Sequence, residues 1–139
     1  MPDTNRGAFN EATLNALRIV AGFLFMQHGA QKLFGWLGGT QVETLASRAG
    51  TAGILEFFGG ILIMCGLFTR PVAFLVSGQM AVAYFLVHVP NGFWPIVNRG
   101  ELAAFYAFTW LFFFVNGPGM FSIDGWWQRR RENEPISEG

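Results

Sequence analysis

Four apolar runs crowd a chain of 139 residues. The first, Leu14 to Leu37, holds Arg18, His28 and Lys32 inside a stretch that otherwise reads as membrane-spanning. An ionisable side chain at bilayer depth costs roughly 3 kcal/mol or more even on lenient insertion scales, so each needs a partner, a watery cavity or a function. A soluble fold of this length could not readily bury four such runs, whereas four helices sharing one bilayer can. Composition agrees, with 52% apolar and only 13% charged residues, where a soluble domain carries about 25% charge. The sequence therefore predicts an all-α fold, an integral membrane four-helix bundle with a short C-terminal interfacial helix. Nine Lys plus Arg against nine Asp plus Glu leave no electrostatic footprint for nucleic acid. The lone Cys65 excludes an intrachain disulfide or a Cys-x-x-Cys site and reads as a small apolar filler.

Breakers and caps divide the chain into a polar N-terminal segment (1–13), a transmembrane domain (14–116, helices at about 14–37, 51–68, 71–89 and 101–116) and an interfacial segment and tail (117–139). Met1 to Thr13 is polar and mildly acidic, unlike a cleaved signal peptide, so the first apolar run is expected to stay as an anchor. That run is expected to start after Asn10, with Asn10 or Thr13 as cap and Glu11 in its first turn. Gln41 to Gly50, with Glu43 and Arg48, reads as a polar connection. Pro71 suits a first helical position and biases Arg70 away from helical geometry. Phe93 to Gly100 reads as a loop that rests Trp94 at headgroup level. Ser122 is a cap for a last short helix, in which Trp126, Trp127 and Arg129 to Arg131 form an interfacial anchor, and Glu132 to Gly139 reads as a disordered tail. Arg6, Arg70 and the Arg129–Arg131 triplet fall on one side of the membrane and Arg48 and Arg99 on the other. The basic residues thus favour both termini cytoplasmic, and the expected location is the inner membrane.

Threading the helices through the bilayer brings His28, Lys32, Glu56, His88 and Glu101 to one outer half, whereas Arg18 lies near the inner end with Arg70 and Asp124 as neighbours. At 100° per residue, Arg18, Gly22, Phe25, Gly29 and Lys32 fall within roughly 40° of one line. Gly53, Glu56 and Gly60 share a face, and Ser77, Ala81, Tyr84 and His88 form a stripe from which Gln79 points away. Lys32 and Glu101 also lie near enough to helix ends to snorkel into headgroups, and His88 beside Pro90 reads equally as an interfacial histidine. Glu56 either pairs with Lys32 or Arg18 to lock the bundle or lines a cavity for a ligand or proton. No metal site is expected, haem ligation by His28 and His88 standing as a subordinate alternative. No Gly-Lys-Ser/Thr, Gly-x-Ser-x-Gly or His-Glu-x-x-His motif defines a nucleotide enzyme or hydrolase.

Leu17-Arg18 with Gly22, His28-Gly29-Ala30-Gln31-Lys32-Leu33-Phe34-Gly35, Glu56-Phe57-Phe58-Gly59-Gly60 with Gly66 and Thr69-Arg70, Asn98-Arg99-Gly100-Glu101, and Gly117-Pro118-Gly119 with Ser122 and Asp124 together resemble the DoxX family of small four-helix membrane proteins. The resemblance runs from about Leu14 to Asp124 and departs at Arg99, where the family pattern has Gly. It implies a family named for a subunit linked to thiosulfate:quinone oxidoreductase, with some members associated with redox and thiol-stress systems as membrane partners of soluble enzymes. Arg18, His28, Lys32, Glu56 and Glu101 stand at its polar signature positions. The functional expectation is a membrane subunit or partner of a quinone-linked oxidoreductase system, with a pocket formed by His28, Lys32, Glu56, Tyr84, His88 and Glu101. There Lys32 and His28 hydrogen-bond a quinone carbonyl or an anionic sulfur substrate, Glu56 exchanges protons, and Tyr84 and Phe57 wall the ring. Expected partners are membrane lipids and a soluble or membrane redox protein; catalysis by the chain itself and a homo-oligomer stay open. The alternative is a non-enzymatic bundle that binds a lipid or small molecule or scaffolds a partner. A proton-coupled transporter is disfavoured by the lack of inverted repeats.

Overall fold

Helix punctuation decides this architecture more than helix propensity does. In a computed structural model, which describes residues 4–133 and the side chains from residue 7 onward, the chain forms α1 (Thr4–Phe34), α2 (Arg48–Cys65), α3 (Thr69–Ala83), α4 (Pro95–Asn98), α5 (Glu101–Asn116) and α6 (Ile123–Glu132). Beyond Ala83, α3 continues through a π-helical turn, Tyr84–His88, and a 3₁₀ turn, Val89–Asn91. The described residues contain no strand, and the fold is all-α. Arg48–Cys65 and Thr69–Asn91 are long and apolar enough to cross a membrane, by length and composition, and α5 is a shorter apolar helix.

Several helix ends differ from the sequence expectation, each for a local reason. α1 begins at Thr4 rather than after Asn10, because the segment from Thr4 to Thr13 holds no proline and the helix runs through Gly7 and Asn10. Glu11 is thus inside the helix, where its carboxylate accepts the Met120 amide at 2.8 Å. Thr13 caps nothing and bonds back to the Phe9 carbonyl. α2 starts at Arg48 because Ser47 caps it, its Oγ accepting from Gly50 N at 3.0 Å. It stops at Cys65 rather than Phe68, since Gly66 turns left-handed at φ 69 and Leu67 N returns to the Leu62 carbonyl in a Schellman closure. Arg70 is helical, against expectation, because α3 already begins at Thr69. Pro71 then stands within the first turn, where no amide is required. The expected 93–100 loop contains α4, opened by Pro95 and ended by Arg99 in the left-handed region at φ 59. Ser122 caps α6 by accepting from Gly125 N at 3.0 Å. Glu132 closes α6, and the remainder of the expected tail, from residue 134, lies outside the described residues, as do residues 1–3.

Glycines let α1 and α2 run antiparallel in close contact. A Cβ on Gly22 would stand 2.8 Å from the Gly60 carbonyl oxygen, and one on Gly29 would meet the Gly53 carbonyl oxygen at 2.7 Å. Each helix carries its two glycines seven residues apart, which sets the register of the pair. α3 lies along α5, and α2 touches α3 across the tight turn between them. The core sits where the two pairs meet. Phe25, Ile63, Val76, Trp110 and Phe113 are almost wholly buried there, with Tyr106 and Trp110 stacked at 5.5 Å between centroids. The outer faces remain apolar: Phe74, Phe105 and Phe108 are 62%, 65% and 73% exposed.

Candidate functional site

All four long helices contribute to one cavity of about 960 Å³. Its polar wall comprises His28 and Lys32 from α1, Glu56 from α2, Gln79 and His88 from the α3 stretch and Tyr106 from α5; Phe25, Leu55, Met80 and Leu102 supply apolar wall. Lys32 Nζ donates to both carboxylate oxygens of Glu56, at 2.5 and 2.6 Å. The glutamate side chain is 3% exposed and the lysine 35%. Close approach of the backbones makes this reach feasible, because a Cβ on Gly53 would already stand 3.0 Å from Lys32 Cβ. Gln79 Nε2 adds a third donor to Glu56 Oε1 at 3.3 Å and also reaches the Ala52 carbonyl. A buried carboxylate is tolerated when it is paired and hydrogen-bonded, and Glu56 is both.

Beside this pair stand two groups without protein partners. Tyr106 is 4% exposed, its ring edge-on to His28 at 6.1 Å. Among the described residues neither the Tyr106 hydroxyl nor the His28 imidazole makes a hydrogen bond, and both line the cavity. His88 Nδ1 lies 3.1 Å from the Asn98 carbonyl oxygen. Arg48 and Arg99 line the cavity as well and are exposed.

The structure separates the predicted site residues. His28, Lys32, Glu56 and His88 share the cavity. Tyr84 does not line it: its hydroxyl donates to the Phe93 carbonyl, and so ties the α3 stretch to the segment before α4. Glu101 is exposed in the first turn of α5, where a carboxylate suits the positive end of the helix dipole, and it is not a lining residue. Phe57 packs edge-on against Phe34 and Phe58, so Phe25 and Tyr106, not Phe57 and Tyr84, are the aromatic walls. Gln79, expected to point away, belongs to the site. The stripe of Ser77 and Ala81 meets α5 instead, with Ser77 Oγ donating to the Ala107 carbonyl at 2.7 Å. Gln79, Ala83 and Leu86 line the cavity, and Gln79 reaches α2 at Ala52 and Glu56. Tyr106 was also missed, although a hydroxyl kept in a helix of phenylalanines, in a chain with 2 Tyr and 16 Phe, was a usable signal. Among the described residues no group of three or more His, Cys, Asp or Glu is arranged to hold a metal ion.

At the other end of the molecule Arg18, Arg70 and Asp124 close helix termini. Arg18, 1% exposed, donates to the Ile63 and Met64 carbonyls at the end of α2, to Phe121 O and to Asn15 Oδ1. Arg70 donates to the Phe114 and Val115 carbonyls at the end of α5. Asp124 accepts the Phe68 and Thr69 amides at 2.9 and 2.8 Å, at the start of α3. Cations at helix C-termini and a carboxylate at an N-terminus are the favourable placements for the helix dipole. The expected grouping of Arg18 with Arg70 and Asp124 is therefore a shared location without mutual contact. Cys65, expected as a filler, is exposed.

Apolar outer faces, a glycine-welded helix pair and a charged cluster enclosed among four long helices define a small all-α protein built around an internal polar site. The chain belongs to the DoxX family, whose family model matches residues 13–89, from α1 through the α3 stretch. It is 40% identical over 114 residues to an uncharacterized protein of Haemophilus influenzae, covering 78% of this chain and 85% of that protein. It is 30% identical over 113 residues to the inner membrane protein YqjF of Escherichia coli, covering 77% and 85%. No solved structure matches the chain.

Proposed function

We propose that the chain is an integral membrane bundle of four spanning helices, α1, α2, the α3 stretch and α5, with α6 at the interface and both termini cytoplasmic. In this reading it serves a quinone-linked oxidoreductase system as a membrane subunit or partner, and the cavity holds the quinone head group. Exposed phenylalanines on the outer faces, two helical stretches long and apolar enough to cross a membrane, and the inner-membrane description of the Escherichia coli relative support the membrane setting.

The observation that carries the ligand reading is the pair of unpartnered polar groups, Tyr106 hydroxyl and His28 imidazole, in a largely apolar cavity beside the Lys32–Glu56 pair. A flat head group bearing carbonyl oxygens fits that set: Tyr106, His28 and the third proton of Lys32 donate to it, and Phe25 and Met80 flank it. A quinone supplies two-electron chemistry when bound. The chain's own residues hold and orient it, exclude water, and keep a carboxylate, Glu56, close by to exchange protons. Organic extraction of protein purified in mild detergent, followed by mass spectrometry, tests this. A quinone is expected with the wild type and is lost or reduced at least tenfold in Tyr106→Phe and Lys32→Ala; retention unchanged in both overturns the reading.

A second reading is favoured by the close pairing of Lys32 with both carboxylate oxygens of Glu56, which suits a lock within a scaffold. On that reading Glu56→Gln destabilises the solubilised protein and no extracted quinone is found with any form.

A further inference from the structure

Away from the cavity, α6 and the residues before it carry apolar surface and charge that the fold leaves unused. Met120, Phe121, Trp126 and Trp127 are 52%, 70%, 49% and 48% exposed. The Arg130 guanidinium lies 4.4 Å above the Trp126 ring centroid, and that of Arg131 lies 5.9 Å from the Trp127 centroid. Arg129 gives one bond to the Met120 carbonyl at 2.9 Å, which leaves most of its donor fork free. None of the three arginines makes an ion pair among the described residues. Two nearby carboxylates are committed to backbone amides, Asp124 to Phe68 and Thr69 and Glu11 to Met120, so Glu132 is the remaining one in α6. Next to these arginines a groove of about 580 Å³ is lined by Met120, Ile123, Trp126 and Arg129, with Cys65 on the α2 side.

We propose that this groove and the Arg129–Arg131 run form a binding site for an anionic phospholipid. The phosphate sits on the guanidinium groups of Arg129 and Arg130, and the first methylenes of the acyl chains lie against Met120, Ile123 and Trp126. Planar guanidinium forks match phosphate oxygens in pairs, and tryptophan places an apolar ring and a polar edge at headgroup depth. Stacking on Trp126 and Trp127 restrains Arg130 and Arg131 before any lipid arrives, so less side-chain freedom is lost on binding.

Charge across the molecule points the same way. Basic residues, which govern orientation in a bilayer, are more numerous at this end, with Arg70 and the triplet against Arg48 and Arg99 at the cavity end, and only here do three stand in one run. Near an anionic leaflet each arginine favours binding about fivefold. The site rests on the chain's lying in a bilayer and is independent of the ligand assigned to the cavity.

The full chain in neutral detergent micelles, titrated with phosphatidylglycerol or phosphatidylcholine and read by native mass spectrometry, tests the proposal. Phosphatidylglycerol is expected to bind at least tenfold more tightly, and this preference is expected to vanish in the triple variant Arg129→Gln, Arg130→Gln, Arg131→Gln. Equal affinity for the two lipids, or a preference that survives the triple variant, overturns it. Displacement of the lipid by inorganic phosphate alone at comparable concentration also overturns it, reassigning the site to a soluble anion. If the triple variant loses its helix content, Arg130→Gln alone is expected to cut the preference about fivefold, and no change in it overturns the proposal. Quinone content measured on the same samples reports on the cavity separately.

Discussion

The Lys32–Glu56 pair is chemically symmetrical and energetically lopsided. Glu56 is enclosed, with its side chain 3% exposed, whereas Lys32 at 35% can turn its ammonium outward. Removing the lysine strands a buried carboxylate; removing the carboxylate charge leaves a lysine with an exit and keeps the Gln79 contact geometry. Lys32→Ala is therefore expected to lower unfolding stability by about 3 kcal/mol and Glu56→Gln by about 1 kcal/mol. Equilibrium unfolding in detergent followed by helicity measures both, and equal losses would contradict the asymmetry. Arg99 presents the opposite opportunity. Its φ of 59 closes α4 in a conformation that costs an L side chain roughly 1–2 kcal/mol. Arg99→Gly is expected to raise stability by about 0.5–1 kcal/mol after the greater flexibility of glycine in the unfolded chain is counted. Arg99→Ala keeps the Cβ and should bring no such gain.

Between elements, the contact most sensitive to a single methyl group is the α1–α2 seam. A Cβ on Gly60 would press within 2.7 Å of the Gly22 carbonyl oxygen and the Met26 amide, both backbone atoms that cannot swing aside. At Gly78, on the exposed side of α3, the same atom would meet nothing within 4 Å. Gly60→Ala is accordingly expected to destabilise by about 2 kcal/mol. Gly78→Ala is expected to be neutral or to stabilise by up to about 1 kcal/mol, and the same unfolding measurement distinguishes them. The seam was legible in the sequence as small residues on one helical line, and the cap of α6 was legible because Ser122 satisfies its own helix locally. The start of α3 was not. Its capping carboxylate, Asp124, lies 55 residues from the Thr69 amide it accepts, so reading local signals placed the helix at Pro71 and left Arg70 outside it. The early start of α1 was missed for a different reason: polarity in the 4–13 stretch suggested a boundary, but only a breaker or a competing cap makes one.

At the scale of the whole molecule, depth along the helices was legible and rotation about them was not. Matching His28, Lys32, Glu56 and His88 by distance from the helix ends found residues that do share a cavity. Choosing which face of α3 met them failed, because the small residues at Ser77 and Ala81 serve the α3–α5 contact and the cavity takes the neighbouring face with Gln79. Rotation depends on which partner a helix meets, and that is fixed by tertiary packing rather than by periodicity. The two ends of the molecule make a stronger prediction. Glu11 holds the Met120 amide and Arg18 the Phe121 carbonyl, so the first half of α1 and the approach to α6 lie at one end, together with Cys65 at the close of α2. Arg48 opens α2 at the other end, about 27 Å away for 18 residues at 1.5 Å each, close to the thickness of a bilayer core of about 30 Å. In the proposed topology the Cys65 end, which carries the Arg129–Arg131 run, faces the cytoplasm. Cys65 is exposed and the chain has no other cysteine, so it is a native reporter. A membrane-impermeant maleimide is expected to label Cys65 in inverted membrane vesicles and not in intact spheroplasts, whereas Arg48→Cys combined with Cys65→Ser shows the reverse. Labelling of both positions from one face would defeat the spanning arrangement, and a complete exchange of the two patterns would keep the four spans while turning the molecule over.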